Sequence, residues 1–202
     1  MSTQALQHSS SLQLASFVRL NEGIKGVVLI AFQINIMALN AILLSHRAGE
    51  VALGFGVISK ELRTLSVELT RLMQALSTDA YLAVNLISDQ LRRERRQQLL
   101  QTTQTQLQRP SAALDAIVAE RKTLFLARAQ QVREVRLRLL DQLEEARKLC
   151  QFGTAISRSA KIEAAYGREY GRALAEVSQE FDQKIQTILP SIETLCAGMQ
   201  RL

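Results

Sequence analysis

Apolar residues recur along the chain at steps of three and four, which is the period of helices that pack in a coiled coil. The repeat is clearest near the end of the chain, at Leu174, Phe181, Ile185, Ile188, Ile192, Leu195 and Met199. A second ladder lies upstream, at Ile58, Leu62, Leu65, Leu69, Leu72 and Leu76. The pattern therefore predicts long amphipathic helices rather than strands.

Three interruptions divide these ladders into four helices. Gly49 lies at the first interruption, Pro110 at the second and Gly153, within 151–154, at the third. Glycine and proline are the usual residues at helix ends. The predicted helices span about 11–47, 55–109, 112–150 and 155–201.

Four consecutive helices with short connections favour an antiparallel bundle. We therefore predict an all-α fold, a long helical hairpin or a four-helix coiled-coil-like bundle. Its parts are a disordered tail at 1–10, a hairpin at 11–109 with its turn at 48–54, and a second hairpin at 111–202 packing on the first. Because the third predicted helix is only about 39 residues long, at 1.5 Å per residue, we expect the second turn to fall short of the first. The first turn would then protrude like a finger.

Composition supports a helical protein. Aromatic residues make up 4% of the 202 residues, Trp is absent, and there are 9 Gly and 2 Pro. Sheet proteins favour β-branched and aromatic residues with frequent turn residues. Sandwiches, barrels and nucleotide-binding α/β sheets are therefore disfavoured.

The net charge of +6 is concentrated locally, around the four arginines Arg92, Arg93, Arg95 and Arg96. Such a cluster is a candidate contact for nucleic acid or acidic lipid. Base-stacking aromatic residues are absent around it, which weakens the case for single-strand binding. A solvated helix face is the preferred interpretation, and nucleic acid is kept as an alternative.

Chemistry-bearing residues are few. The two histidines, His8 and His46, have no catalytic neighbours in sequence, and no metal-ligand spacing or phosphate-binding glycine loop occurs. Cys150 and Cys196 lack a CxxC spacing and fall on apolar helix positions, which favours reduced, buried thiols. We therefore expect a cytoplasmic protein that is not an enzyme and has no cofactor, no metal and no small-molecule substrate.

One uncharged segment of 19 residues, Gly26–Leu44, is long enough to span a bilayer. Its amides Gln33, Asn35 and Asn40 are costly in hydrocarbon. Buried amides at helical spacing favour a helix bundle over a membrane span.

The segment around the first turn carries a more specific signal. It reads IAFQ, Asn35 and ALNA on the first helix, then RAGE, a Gly-Phe pair with Val57, and Glu61, Arg63 and Leu65. Over residues of about 24–70 it resembles the signalling tip of bacterial chemoreceptors, the methyl-accepting chemotaxis proteins. The resemblance implies a helical hairpin whose tip packs receptor dimers into trimers and docks the coupling adaptor and the histidine kinase.

The resemblance also names candidate contact residues. The matching positions are Phe32, Asn35, Ile36, Asn40, Arg47, Glu50 and Val57. Partner-binding candidates around them are Gln33, Leu43, Leu44, Leu53 and Phe55. Spacing further predicts one stripe at Phe32, Ile36, Leu39 and Leu43 and a returning stripe at Phe55, Ile58, Leu62 and Leu65. The chain has Leu44 where the family has an acidic residue, so Arg47 loses a carboxylate partner, and the resulting apolar patch favours a protein partner.

We therefore predict a soluble chemoreceptor-like signalling protein that binds array components through its tip: the coupling adaptor, the histidine kinase or receptor tips. The second hairpin could take the place of a partner protomer, and a homodimer stays open. The alternatives are a helical scaffold unrelated to chemotaxis and a basic helical nucleic-acid-binding protein.

Overall fold

The computed structural model describes residues 3–106 and 112–200. The helices are α1 (Thr3–Ala48), α2 (Leu53–Gln106), α3 (Ala112–Ala165) and α4 (Gly171–Gln200), with 3-10 turns at Gly49–Ala52 and Arg168–Tyr170. No strand occurs among these described residues, so the predicted all-α class is confirmed. The boundary predicted between the two hairpins, at 109–111, lies outside the described residues.

The start of α1 differs from the prediction. The helix begins at Thr3 rather than at Ser11, because residues 3–10 contain no Gly or Pro that would end it.

The first chain reversal lies inside the predicted 48–54 segment. Gly49 adopts φ +66°, a left-handed conformation that residues with a Cβ rarely take. The Ser45 hydroxyl donates a hydrogen bond of 2.6 Å to the carbonyl oxygen of Ala52 across the reversal. The turn is therefore fixed by one glycine and one buried serine.

The predicted break at 151–154 is wrong, because α3 continues through it to Ala165. Gly153 is buried inside the helix, and a Cβ there would lie 2.9 Å from Leu65 Cδ1 and 3.0 Å from Ile185 Cδ1. This glycine allows close packing of α3 on its neighbours and does not end the helix. The second reversal lies at 166–170 instead.

The two reversals lie side by side at one end of the bundle. Arg128 pairs with Asp89 at 3.0 Å and Arg138 with Asp79 at 3.3 Å, so α3 runs antiparallel to α2. The same register places the Glu163 carboxylate against Gly54, where a Cβ would meet Glu163 Oε1 at 2.5 Å. The expected protruding finger is therefore wrong, since α3 reaches the level of the first turn.

Each helix of the bundle packs against two neighbours: α1 against α2 and α4, and α3 against α2 and α4. Near the turns the buried residues are mostly small: Ala38, Ala41, Ser45, Ala52, Ser59, Ser157, Ala160 and Ala164. Farther along they are mostly large, for example Leu62, Leu69, Met73, Leu139, Leu143, Phe181 and Ile185. Small core residues let the helices approach closely beside the turns.

Candidate functional site

Two apolar stripes run along the second half of α1 and point in opposite directions. The inward stripe is buried and consists of Ala31, Ile34, Ala38 and Ala41. The outward stripe holds larger side chains that are exposed: Leu29, Phe32, Ile36 and Leu43. The predicted stripe thus faces solvent, except for Leu39, which is half-buried.

The start of α2 continues this exposed surface. Leu29, Phe32 and Val67 line one groove between α1 and α2. Ile36 and Leu43 follow Leu29 at steps of seven, and Leu53 precedes Val67 by two such steps, so they lie on the same side of the hairpin. We call the exposed set the apolar face: Leu29, Phe32, Ile36, Leu43, Leu53, Val57 and Val67.

The apolar face is well exposed for side chains of this kind. Phe32 is 58% exposed, Leu43 60% and Leu53 65%. Single exposed apolar residues are ordinary on protein surfaces, whereas a contiguous set indicates a contact surface. The face is therefore suited to another protein or another hydrophobic surface.

The amides Gln33, Asn35 and Asn40 of α1 form no hydrogen bond with one another. Asn35 borders the groove, and its Oδ1 atom is buried without a hydrogen-bond partner among the described residues. Asn40 is exposed and Gln33 half-buried. A buried carbonyl oxygen without a donor costs free energy, so Asn35 is a polar side chain that folding alone does not favour at this position.

Other predicted contact residues lie on the opposite flank of α1. Arg19 and Gly23 line a groove between α1 and α4. Gln33, Asn40 and Arg47 follow Arg19 by two, three and four heptads, so they lie toward α4. Glu50 is exposed in the turn itself. The predicted set therefore divides between two sides of the tip.

Two predicted contact residues are corrected. Phe55 is 0% exposed and belongs to the core, because it lies on the same inward stripe as Leu62 and Leu69. Leu44 is half-buried and packs against the core. The apolar patch that we expected at Leu43, Leu44 and Leu53 thus keeps only Leu43 and Leu53 as exposed members.

Three residues of this region were missed by the sequence reasoning. Leu29 and Val67 extend the apolar face away from the turn, and the seven-residue spacing of Leu29 from Ile36 was the available signal. Glu163 lies 109 positions after Gly54 in the chain, and nothing in the sequence indicates that the two meet.

The family model for the methyl-accepting chemotaxis protein (MCP) signalling domain matches residues 8–137, which is more than half of the chain. The chain belongs to this family. No curated protein and no solved structure matches it. The MCP match confirms the resemblance seen over about 24–70 and extends it to α1, the first turn, α2 and the first half of α3.

MCP signalling domains are cytoplasmic, non-catalytic parts of chemoreceptors that form dimers and interact with adaptor and kinase components. The apolar face lies wholly inside the matched residues. In contrast, α4 and the second half of α3 lie outside the match.

Among the described residues, one helical region passes the length and composition test for a membrane span; it runs over Ala15–Leu100 and includes parts of α1 and α2 and the first turn. Its most apolar window has a mean hydropathy of 2.3 and is 28% buried. The exposed part of the segment Gly26–Leu44 supplies the α1 side of the apolar face.

The remaining candidate residues lie apart from this surface. His46 is exposed, and the side chain of His8 lies outside the described residues. Within the described part of the chain, no group of three His, Cys, Asp or Glu residues could hold a metal ion. Cys150 is a free, buried thiol whose pKa is raised by burial to about 12. Burial also raises the pKa of the free, half-buried Cys196.

Proposed function

We propose that this MCP-family chain is a cytoplasmic, non-catalytic signalling protein that binds chemosensory array components through its first hairpin. The partners are the coupling adaptor, the histidine kinase or the tips of receptors. The observation that supports this proposal is the apolar face, because it lies at the hairpin end within the family match and is left uncovered by the chain's own helices.

The second hairpin extends the proposal. Signalling domains of the family form dimers, whereas in this chain α3 and α4 already pack against α1 and α2. We infer that α3 and α4 stand in the place of a partner protomer. A single chain would then form the whole four-helix bundle. Its end would carry the turn at 49–52, which lies inside the family match, beside the turn at 166–170, which lies outside it.

The test is a binding assay with purified coupling adaptor, histidine kinase and receptor tip fragments. Phe32→Ser is expected to lower binding by about tenfold or more, since central apolar contacts dominate such interfaces. Asn40→Asp tests the side of α1 that lies toward α4, and Glu50→Lys tests the first turn; each should weaken binding if its residue contacts the partner. Light scattering should give a mass near 22.5 kDa if α3 and α4 replace the second protomer.

Leu137→Ser is the matched control, because Leu137 is 61% exposed on α3 and does not belong to the apolar face. It should leave binding unchanged. Failure of the wild-type chain to bind any of the three partners contradicts the proposed function. A mass of twice the chain contradicts only the inference about α3 and α4.

A further inference from the structure

We propose that the arginine cluster, Arg92, Arg93, Arg95 and Arg96 on α2, docks the protein on an anionic lipid surface. The proposal does not depend on the proposed function. It begins with the distribution of charge along the chain: residues 92–138 contain eleven Lys or Arg and four Asp or Glu. That stretch has a net charge of +7. Since the whole chain has a net charge of +6, the remaining residues together have a net charge of −1.

The four guanidinium groups of the cluster are available to a partner. All four side chains are exposed, and none forms a hydrogen bond or ion pair with a described residue. At 100° per residue they occupy an arc of about 160° on the outer side of α2. Their one acidic neighbour in sequence, Glu94, is half-buried and accepts a hydrogen bond of 3.0 Å from Gln90.

Three arginines of α3 behave differently. Arg128 pairs with Asp89, Arg138 pairs with Asp79, and Arg136 donates a hydrogen bond to the carbonyl oxygen of Gln200. These three side chains are used in holding α3 to α2 and α4. Among the described residues the arginine cluster has no such partner, so its charge is available to an external anion.

Apolar side chains flank the cluster on the same side of α2. Leu99 follows Arg92 by seven residues and is 66% exposed, and Tyr81 precedes it by eleven and is 70% exposed. Arginines between exposed aliphatic and aromatic side chains suit the boundary between lipid headgroups and acyl chains. Single-stranded nucleic acid instead prefers a groove with several stacking aromatics, whereas this arc is convex.

The cluster lies far from the first turn along α2. Arg92 lies 39 residues beyond Leu53 along one continuous helix, which corresponds to about 60 Å at 1.5 Å per residue. The cluster and the first turn therefore lie at separate levels of the same helix.

The test is sedimentation of the full chain with vesicles of neutral phosphatidylcholine, with or without added phosphatidylglycerol. We expect binding only to the anionic vesicles, and we expect it to weaken as salt rises. The variant R92Q/R93Q/R95Q/R96Q should bind about 10²- to 10³-fold more weakly, at about fivefold per arginine.

The matched control is R63Q/R158Q/R168Q/R172Q, which removes the same charge from exposed arginines in the half of the bundle near the turns. It should retain vesicle binding, and circular dichroism should show both variants folded. Equal binding to neutral and anionic vesicles overturns the proposal, as does an equal loss in the two variants. Tighter binding to duplex DNA, dependent on the same four arginines, would assign the cluster to nucleic acid instead.

Discussion

The helices α1 and α4 share one core but contribute to it in opposite ways. On α1, beside the first turn, the small residues Ala38 and Ala41 point inward and the larger Phe32 and Leu43 point outward. On α4 the arrangement is reversed. Its large residues are buried, at Leu174, Phe181, Ile185, Ile188 and Ile192, and its exposed positions are largely polar, at Arg172, Glu176, Gln179, Gln183 and Gln186.

The difference separates two roles of apolar residues. Burial of large side chains, as on α4, is what stability alone favours. On the second half of α1, Phe32, Ile36 and two Leu residues are left in water while Ile34 and three alanines occupy the core, which contributes less to folding. The outward placement on α1 is what the proposed contact with another protein would require, and α4 contributes the larger core side chains at the level of the first turn.

The largest expected effect contrasts one phenylalanine from each hairpin. Phe181→Ala should lower the free energy of unfolding by about 3–5 kcal/mol, because Phe181 is fully buried and the change leaves a cavity. Phe32→Ala should change it by less than about 0.5 kcal/mol, since Phe32 is largely exposed. Urea denaturation measures both values. Similar losses in the two variants would show that Phe32 is a core residue.

A second prediction concerns glycines in the same two hairpins. Gly153→Leu should destabilise the bundle by about 1–3 kcal/mol, because the new side chain collides with Leu65 and Ile185. Gly26 on α1 has open space around it, so Gly26→Ala should stabilise the helix by about 0.5–1 kcal/mol. Thermal denaturation of the two variants gives the signs. A stabilised Gly153→Leu variant would contradict the close packing of α3.

The smallest effect is a pH dependence within the second hairpin. Lys161 donates a hydrogen bond to Asp182, which lowers the pKa of that carboxyl group below its ordinary value. Ser157 also donates to Asp182, at 3.0 Å.

Because the pKa is lower in the folded state, the stabilisation is present above the ordinary pKa of Asp and is lost as pH falls through the folded value. The pair is partly exposed to solvent, so we expect a loss of less than about 1 kcal/mol on acidification. Asp182→Asn should remove this component of the acid dependence, measured by urea denaturation between pH 5 and pH 2. An unchanged dependence in the variant would assign it to other carboxylates.

The fold was predictable from the sequence wherever the structural effect of a residue depends only on its neighbours in the chain. Periodic apolar residues gave the helices, and Gly49 marked the first reversal. Gly153 was misread, because a glycine inside a helical pattern can end a helix or admit a close neighbour. Only the three-dimensional positions of Leu65 and Ile185 decide between these, and neither is adjacent in sequence.

The sequence predicted which positions form an apolar stripe on α1, but not whether that stripe faces the core or the solvent. Spacing identified Phe32, Ile36 and Leu43 as one stripe, yet a period does not say which of two stripes is buried. Here the choice depends on α4, which covers the side of α1 that carries alanines. Phe55 was misassigned for the same reason, since one stripe of α2 enters the core and the other remains outside.

Ser45 and Gly56 meet so closely across the first turn that their sizes are coupled. A Cβ on Gly56 would lie 2.5 Å from Ser45 Oγ, and that oxygen is already held by Ala52. An alanine at position 56 therefore requires either that the Ser45 hydroxyl gives up its hydrogen bond to Ala52 or that residue 45 becomes smaller. Relatives that keep this turn should show the two positions changing together, as a correlated pair in evolution.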